Sequence, residues 1–336
     1  MRGVEGGDLQ RERAVPRLLQ YLDWRHLRWV AYAGYGAVLV ALVVHYGVHT
    51  GWGTLAIIFG IALLLSTIGR SWRASLQVVV DWLPFITVLV LYDRTRGVAQ
   101  SLGISVHEAD IVHAEKWCFG GVEPTNWLQH HLYNPSHIYW YDVLVTLVYT
   151  SHFVATPILA VAFWLRDRAL WLRYIVRITA LALAGLLTYC LFPEAPPWLA
   201  ARDGLIDPVA RLSVRGWSAL DLEGLKDLLS QAQNGGSNEV AAMPSLHLAF
   251  AVLVALMVGF RIRSRWRYLL ALYPLAMAFT LVYTGEHYVL DLVAGLAYAL
   301  AVHYAMNLWE ARWRRRRDLR DQEPAATAEL ESISLG

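Results

Sequence analysis

Long apolar runs recur along the chain, separated by short polar or arginine-bearing breaks. An α-helix needs about 20 mostly apolar residues to cross roughly 30 Å of hydrocarbon. Eight segments fit, near 28–48, 52–69, 74–92, 139–164, 174–192, 242–260, 268–285 and 288–308. Lipid offers no partner to a backbone N–H or C=O, so each is predicted to be a helix. The third is the least apolar because it carries Asp81 and Pro84. Asp81 is expected to pair, or to stay protonated, on an interior face. The fold class is therefore all-α, a polytopic membrane bundle of about eight transmembrane helices.

Two long segments interrupt the pattern, 93–138 and 193–241. Both mix Trp and His with short amphipathic stretches, and are expected to form interfacial helices and loops that cap one face. The chain then divides into a cytoplasmic segment at 1–26, N-terminal spans and an outer amphipathic segment at 27–138, a core at 139–309, and a tail at 310–336. The tail opens with Arg314–Arg317, suited to anionic headgroups. Beyond them it turns polar and is expected to be disordered. The first 26 residues lack the apolar core of a cleavable leader. No internal repeat is visible.

Composition agrees. Charged residues make up 17% of the 336-residue chain and hydrophobic ones 57%, whereas a soluble domain is about a quarter charged. The excess apolar surface must face lipid. The formal net charge of +2 gives no reason to expect nucleic acid. Cys118 and Cys190 are too few for a disulfide framework, although both fall on one side, which permits a bridge. Orientation follows the basic residues. With the N-terminus cytoplasmic, the arginines before 29, at 70–73, 166–173, 261–267 and 312–320 all lie inside. The outer loops hold only Arg94, Arg96, Lys116, Arg202, Arg211, Arg215 and Lys226. No feature calls for a metal or cofactor: His107, His113, His130, His131 and His137 match no standard zinc spacing.

Three segments carry chemistry, and this topology puts them on one face. In Ala242-Met243-Pro244-Ser245-Leu246-His247 a proline opens a helix whose first turn offers free N–H groups to an anion. Ser245 adds a hydroxyl there, and can equally be only the helix cap. His247 can carry a proton near neutral pH. In Tyr283-Thr284-Gly285-Glu286-His287-Tyr288-Val289-Leu290-Asp291, His287 and Asp291 share a helix face. The carboxylate can hold one ring nitrogen and leave the other free to attack. In Phe192-Pro193-Glu194-Ala195-Pro196-Pro197-Trp198, three prolines end a helix at the membrane exit. Asp142 lies near the outer end of the fourth span, where it can contact a polar acceptor or compensate the helix end. His152, deeper on that helix, is expected to pair within the bundle.

Pro-Ser-x-His followed by His-x-x-x-Asp resembles the membrane type-2 phosphatidic acid phosphatase (PAP2) superfamily. With Ala-Pro-Pro-Trp, the pair is most similar to its branch holding fungal inositol phosphorylceramide synthase and bacterial relatives. The resemblance covers about residues 140–305. It implies a six-helix catalytic core preceded by two further spans, or an equivalent arrangement. It implies an enzyme in which His287 attacks phosphorus, Asp291 orients it, His247 exchanges the proton and Ser245 helps to hold the phosphoryl oxygens. The family's Arg six residues before this His is Leu281 here, and its Lys/Arg-Pro motif is absent. Arg211 and Arg215 are the first candidates to replace those cations, ahead of Arg202 and Lys226. The implied function is a membrane lipid phosphotransferase. It would move a phosphoryl-linked headgroup from a phospholipid or other lipid-phosphate donor to a lipid or glycan alcohol. The alternatives are a phosphatase of the same mechanism, with water as acceptor, and, more remotely, a non-catalytic transporter or scaffold. The implied location is a bacterial plasma membrane, with both termini cytoplasmic and the site on the other face.

Overall fold

The computed structural model describes residues 24–46, 52–94, 98–236 and 238–334. Most of the segment expected at 1–26 therefore lies outside the described residues. In chain order the helices are α1 (Trp24–Tyr46), α2 (Trp52–Ser66), α3 (Trp72–Arg94), α4 (Val98–Ser101), α5 (Ala109–Cys118), α6 (Pro124–Leu132) and α7 (Trp140–Arg166). There follow α8 (Arg168–Leu191), α9 (Pro197–Arg202), α10 (Glu223–Gly236), α11 (Leu246–Gly259), α12 (Leu272–Tyr283) and α13 (Val289–Ser334). Short 3-10 turns at Arg215–Leu220 and Arg265–Ala271 precede α10 and α12. Among the described residues there is no strand, only two isolated bridges.

A helix stands at each of the eight expected positions. Among the described residues four are long and apolar enough to cross a membrane: Trp140–Arg166, Arg168–Leu191, Arg265–Tyr283 and Val289–Arg320. The stretch Ile57–Ser66 of α2 and the whole of α11 are apolar but shorter. The ends follow local chemistry. Asp167 separates α7 from α8 and accepts from Leu170 N (3.0 Å), supplying an acceptor to the orphan donors of the α8 start. Tyr139 N donates to Asp142 Oδ2 (2.9 Å) at the start of α7. The tail departs from expectation, because α13 continues as a helix to Ser334. Arg, Leu, Glu and Ala, which dominate it, are strong helix formers.

The third span joins the bundle through its polar residue. Asp81 is buried and takes both Arg168 Nη2 (2.6 Å) and Trp164 Nε1 (3.1 Å), so it is paired, as expected. Around it Trp82 packs against Phe59, Phe85, Trp164 and Trp171, tying α2 and α3 to α7 and α8. Further along the same half of α8, Arg177 donates to Glu310 (2.7 Å) and Asn307 (2.7 Å), which fastens α8 to α13.

The opposite end of the bundle is roofed. Gln129 of α6 donates to Ala210 O (2.8 Å) and Tyr283 O (2.9 Å), and accepts from Ala210 N (2.9 Å). One amide thus joins both long connecting segments to the end of α12. Under the roof, α13 crosses the start of α11 at very close range. A Cβ on Gly295 would collide with Ser245 O, a backbone atom that cannot swing aside. Gly185 of α8 meets Leu246 in the same way, although there a side chain can yield. Cys118 and Cys190 are both free.

Gly295→Ala must push α13 away from residue 245. Overpacking of this kind costs about 1–3 kcal/mol. Thermal unfolding in detergent is expected to show a clear loss of stability, accompanied by loss of activity. Gly60→Ala, where nothing lies within 4 Å of the added Cβ, is the control and is expected to unfold like the parent. Equal behaviour of the two variants would show that the crossing is not tightly set.

Candidate active site

The site is assembled where α8, α11, α12 and α13 meet beneath the roof. Between α12 and α13 the chain turns through Gly285, whose φ of 77° suits glycine. Both Glu286 N (3.0 Å) and His287 N (3.2 Å) then donate to Leu281 O, which fixes the His287 backbone. Asp291 sits in the first turn of α13, where a carboxylate is favoured by the helix dipole and by free N–H groups. Its Oδ2 accepts from Tyr288 N (2.9 Å) and contacts His287 Nδ1 (3.1 Å). An ionised carboxylate can only accept, so Nδ1 carries the ring proton and Nε2 keeps its lone pair.

That free Nε2 faces His247 Nδ1 at 3.4 Å. His247 is held in the first turn of α11. The Ser245 hydroxyl oxygen accepts from Leu248 N (3.4 Å), and Ser245 N donates to Asp291 O (3.0 Å). The cap of α11 is thereby bonded to the residue that orients His287. His247 Nε2 is buried and has no hydrogen-bond partner among the described residues. Chemically, the arrangement offers one imidazole nitrogen with a lone pair, set by a carboxylate, and a second imidazole beside it to exchange a proton.

Of the candidate cations, Arg211 is the one brought to this cluster. Its charge bears on His247. Its guanidinium forks onto Glu286 (2.8 and 2.9 Å), and Ser213 Oγ donates to the same carboxylate (2.6 Å). It also lies over the Trp198 ring, 4.6 Å from the centroid, which gives the Ala-Pro-Pro-Trp exit a second use beyond ending α8. Arg215 donates instead to Asn134 O (2.6 Å) and His137 O (2.9 Å), closing the loop at 133–137. Arg202 and Lys226 make local surface pairs with Asp203 and Glu223. Asp142 is buried with its oxygens on Tyr139 N and the Tyr283 hydroxyl (2.8 Å), so it ties α7 to α12.

Several contributors are not evident from the sequence. His152 and Tyr149 of α7 lie against His247, at ring-centroid distances of 4.2 and 5.3 Å. The sequence alone suggests that His152, deep on its helix, pairs within the bundle. Ten residues of helix do place it about 15 Å below Asp142, but the imidazole cluster is itself sunk to that depth. The available signal is the i, i+3 spacing of 149 and 152, which puts both on one face. Glu286 carries no motif that announces its bond to Arg211. Glu115 of α5 is fully buried and accepts from Val289 N (2.8 Å) and Leu290 N (3.2 Å), capping α13 from the roof.

The family model of the PAP2 superfamily matches residues 109–305, from α5 into α13. Over 233 residues the chain is 28% identical to the phosphoinositol dihydroceramide synthase of Bacteroides thetaiotaomicron, covering 67% of this chain and 75% of that protein. Over 123 residues it is 34% identical to the inositol phosphorylceramide synthase catalytic subunit of Schizosaccharomyces pombe, covering 35% of this chain and 28% of that one. No solved structure matches the chain significantly.

The Glu115 cap has a pH signature. Burial pushes its carboxyl up from 4.5 to about 7, against the two backbone donors that favour the anion, with the Asp291 and Glu123 charges adding to the rise. The folded state therefore binds this proton more tightly than the unfolded chain. Between pH 4.5 and about 7 the group lowers stability as pH rises. Glu115→Gln keeps an acceptor for Val289 N and removes the titration. Its unfolding temperature is expected to fall less than the parent's across that window, and parallel curves would rule out the shift.

Proposed function

This chain belongs to the PAP2 superfamily, and from that premise we propose that it moves a phosphoryl-linked polar headgroup from a lipid donor to a lipid or glycan alcohol by way of a phosphohistidine on His287. It is an integral membrane enzyme of the lipid phosphotransferase or phosphatase type. The observation that carries the finer reading is the contact of His287 Nδ1 with Asp291 while its Nε2 faces His247.

In the first half-reaction the Nε2 lone pair attacks phosphorus and the P–O bond to the lipid alcohol breaks. Protonated His247 gives its proton to the departing oxygen. In the second, neutral His247 takes the proton of the acceptor hydroxyl, whose oxygen attacks phosphorus as the P–N bond breaks. A phosphoryl group bound at Nε2 takes the place of the present contact between the two rings. Arg211 supplies positive charge to the phosphoryl oxygens, and Ser245 and the α11 N-terminus add donors. Transfer is favoured over hydrolysis by burial of the cluster under the roof. The two relatives are both named as synthases, which supports the same choice. An apolar groove lined by Phe119, Trp127, Phe279 and Leu292 lies beside α13 and offers a route for lipid chains. The arginines at 166–168, 261–267 and 312–320 lie at the other end of the bundle. This supports a site on the non-cytoplasmic face of a bacterial plasma membrane.

The test uses purified protein in lipid nanodiscs with a headgroup-labelled phospholipid. The label should appear on the protein as an acid-labile adduct, and then on an added lipid alcohol. His287→Ala should abolish the adduct, with turnover down by about a thousandfold or more. Arg211→Ala should cost about a hundredfold, and Arg215→Ala far less. Release of headgroup phosphate with no transferred product would make the enzyme a phosphatase. An adduct that survives His287→Ala would remove the nucleophile from this account.

A further inference from the structure

The mechanism above gives no part to Glu194, the acid of the Pro193-Glu194-Ala195-Pro196 exit. Its placement is nevertheless closely set. Glu194 N donates to Val240 O (2.8 Å), while on either side Pro193 O accepts from His107 N (2.8 Å) and Ala195 N donates to His107 O (3.0 Å). Both roof segments therefore hold this residue between them. Its side chain is 0% exposed, as is that of Asp291. Among the charged groups around it, the Asp291 carboxylate bears on it most strongly.

Neither oxygen of Glu194 meets a donor among the described residues, and nor does Asp291 Oδ1. Two ionised carboxylates so placed would both be acceptors of like charge in a low-dielectric interior, an arrangement that strongly disfavours one of the charges. A single proton between them removes the like-charge repulsion and gives Asp291 Oδ1 a donor. It belongs on Glu194, because Asp291 Oδ2 already has Tyr288 N and His287 Nδ1 to stabilise its charge and Glu194 has no such donors. We infer that Glu194 is a neutral carboxylic acid whose O–H donates to Asp291 Oδ1, and that it is a positioning residue for His287. The inference rests on the reading of His287 and Asp291 as the catalytic pair.

The surroundings agree. The carboxyl groups that bear on Glu194 are Asp291 of α13 and Asp110 and Glu115 of α5, all of one sign. His107 is itself bonded to Asp110 through Nδ1. The buried Tyr288 hydroxyl is the other titratable group alongside. Burial, with the Asp291 charge next, holds the Glu194 carboxyl far above the usual carboxylate range. The consequence is a chain of three groups, acid to carboxylate to imidazole, in which Asp291 keeps one negative charge and one orientation. Loss of the Glu194 proton in alkaline solution would set two anions against each other and disturb His287.

Difference infrared spectroscopy on the intact protein tests this directly. The wild type should show the C=O band of a protonated carboxylic acid in mildly alkaline buffer, where Glu115, at about 7, has lost its proton. The band should be missing from Glu194→Gln. No such band in the wild type overturns the inference. Kinetics give the second readout. The amide introduced by E194Q can donate the same hydrogen bond and cannot ionise, so this variant should keep kcat within a few-fold and lose the alkaline fall of the pH profile. Glu194→Ala leaves Asp291 Oδ1 unpaired and should lower kcat by about 10- to 100-fold with little change in KM. E194Q as impaired as E194A, or E194A with wild-type kcat and pH profile, would overturn it. Should E194Q not fold, Asp291→Asn serves for assignment: removing the neighbouring charge must bring the band's titration to lower pH, and an unmoved band counts against the contact. Full turnover in Asp291→Asn would instead sink the catalytic reading while leaving the band assignment intact.

Discussion

The structure turns on the bond between Asp291 and His287. One carboxylate oxygen accepts from the backbone of Tyr288 and meets the imidazole Nδ1. The same residue that starts α13 therefore fixes the tautomer of the ring beside it. Its own carbonyl accepts from Ser245 N, so the cap of α11 and the position of His247 hang from it as well. These contacts require α11 and α13 to approach almost to backbone contact, which is why position 295 has no side chain. A membrane bundle has no hydrophobic drive to bring its helices together, and close packing through small residues takes its place.

Around that centre the roof acts on chemistry as much as on shape. Glu115 of α5 caps the helix that bears Asp291, Gln129 of α6 holds the end of α12, and Trp198 stacks on Arg211. Burial of this kind makes each charge count for more than it would in water. It also places the imidazoles well below the start of α7, in contact with Tyr149 and His152. A chain that transfers a headgroup to an alcohol must keep water from competing, and a roofed, sunken site supports that outcome over hydrolysis.

Much of this is legible in the sequence because the physics is periodic or local. Apolar runs of spanning length place a helix at each of the eight positions, although α8 begins before its run and α13 continues well beyond its own. The i, i+4 spacing of His287 and Asp291 predicts their contact, and the acid in the third span finds its partner in Arg168. What escapes is long-range. Nothing near Glu115 says that its partners lie 174 and 175 residues away, and Asp142 gives no sign that it serves Tyr283, 141 residues on. Arg211 and Arg215, four residues apart, look alike in sequence. Only the path of the loop brings one to Glu286 and Trp198 and the other to the carbonyls at 134 and 137. In the tail, polarity points to disorder, whereas helix propensity sets the outcome.

The central claim is that His287 Nε2 is the atom that bonds to phosphorus. An experimental structure of the protein soaked with vanadate, which takes the five-coordinate geometry of phosphoryl transfer, tests it most directly. Vanadium is expected to bond to His287 Nε2, with His247 displaced to the edge of the oxyanion and Arg211 on its oxygens. Vanadate bound elsewhere beneath the roof, with His287 Nε2 out of bonding reach, would contradict it.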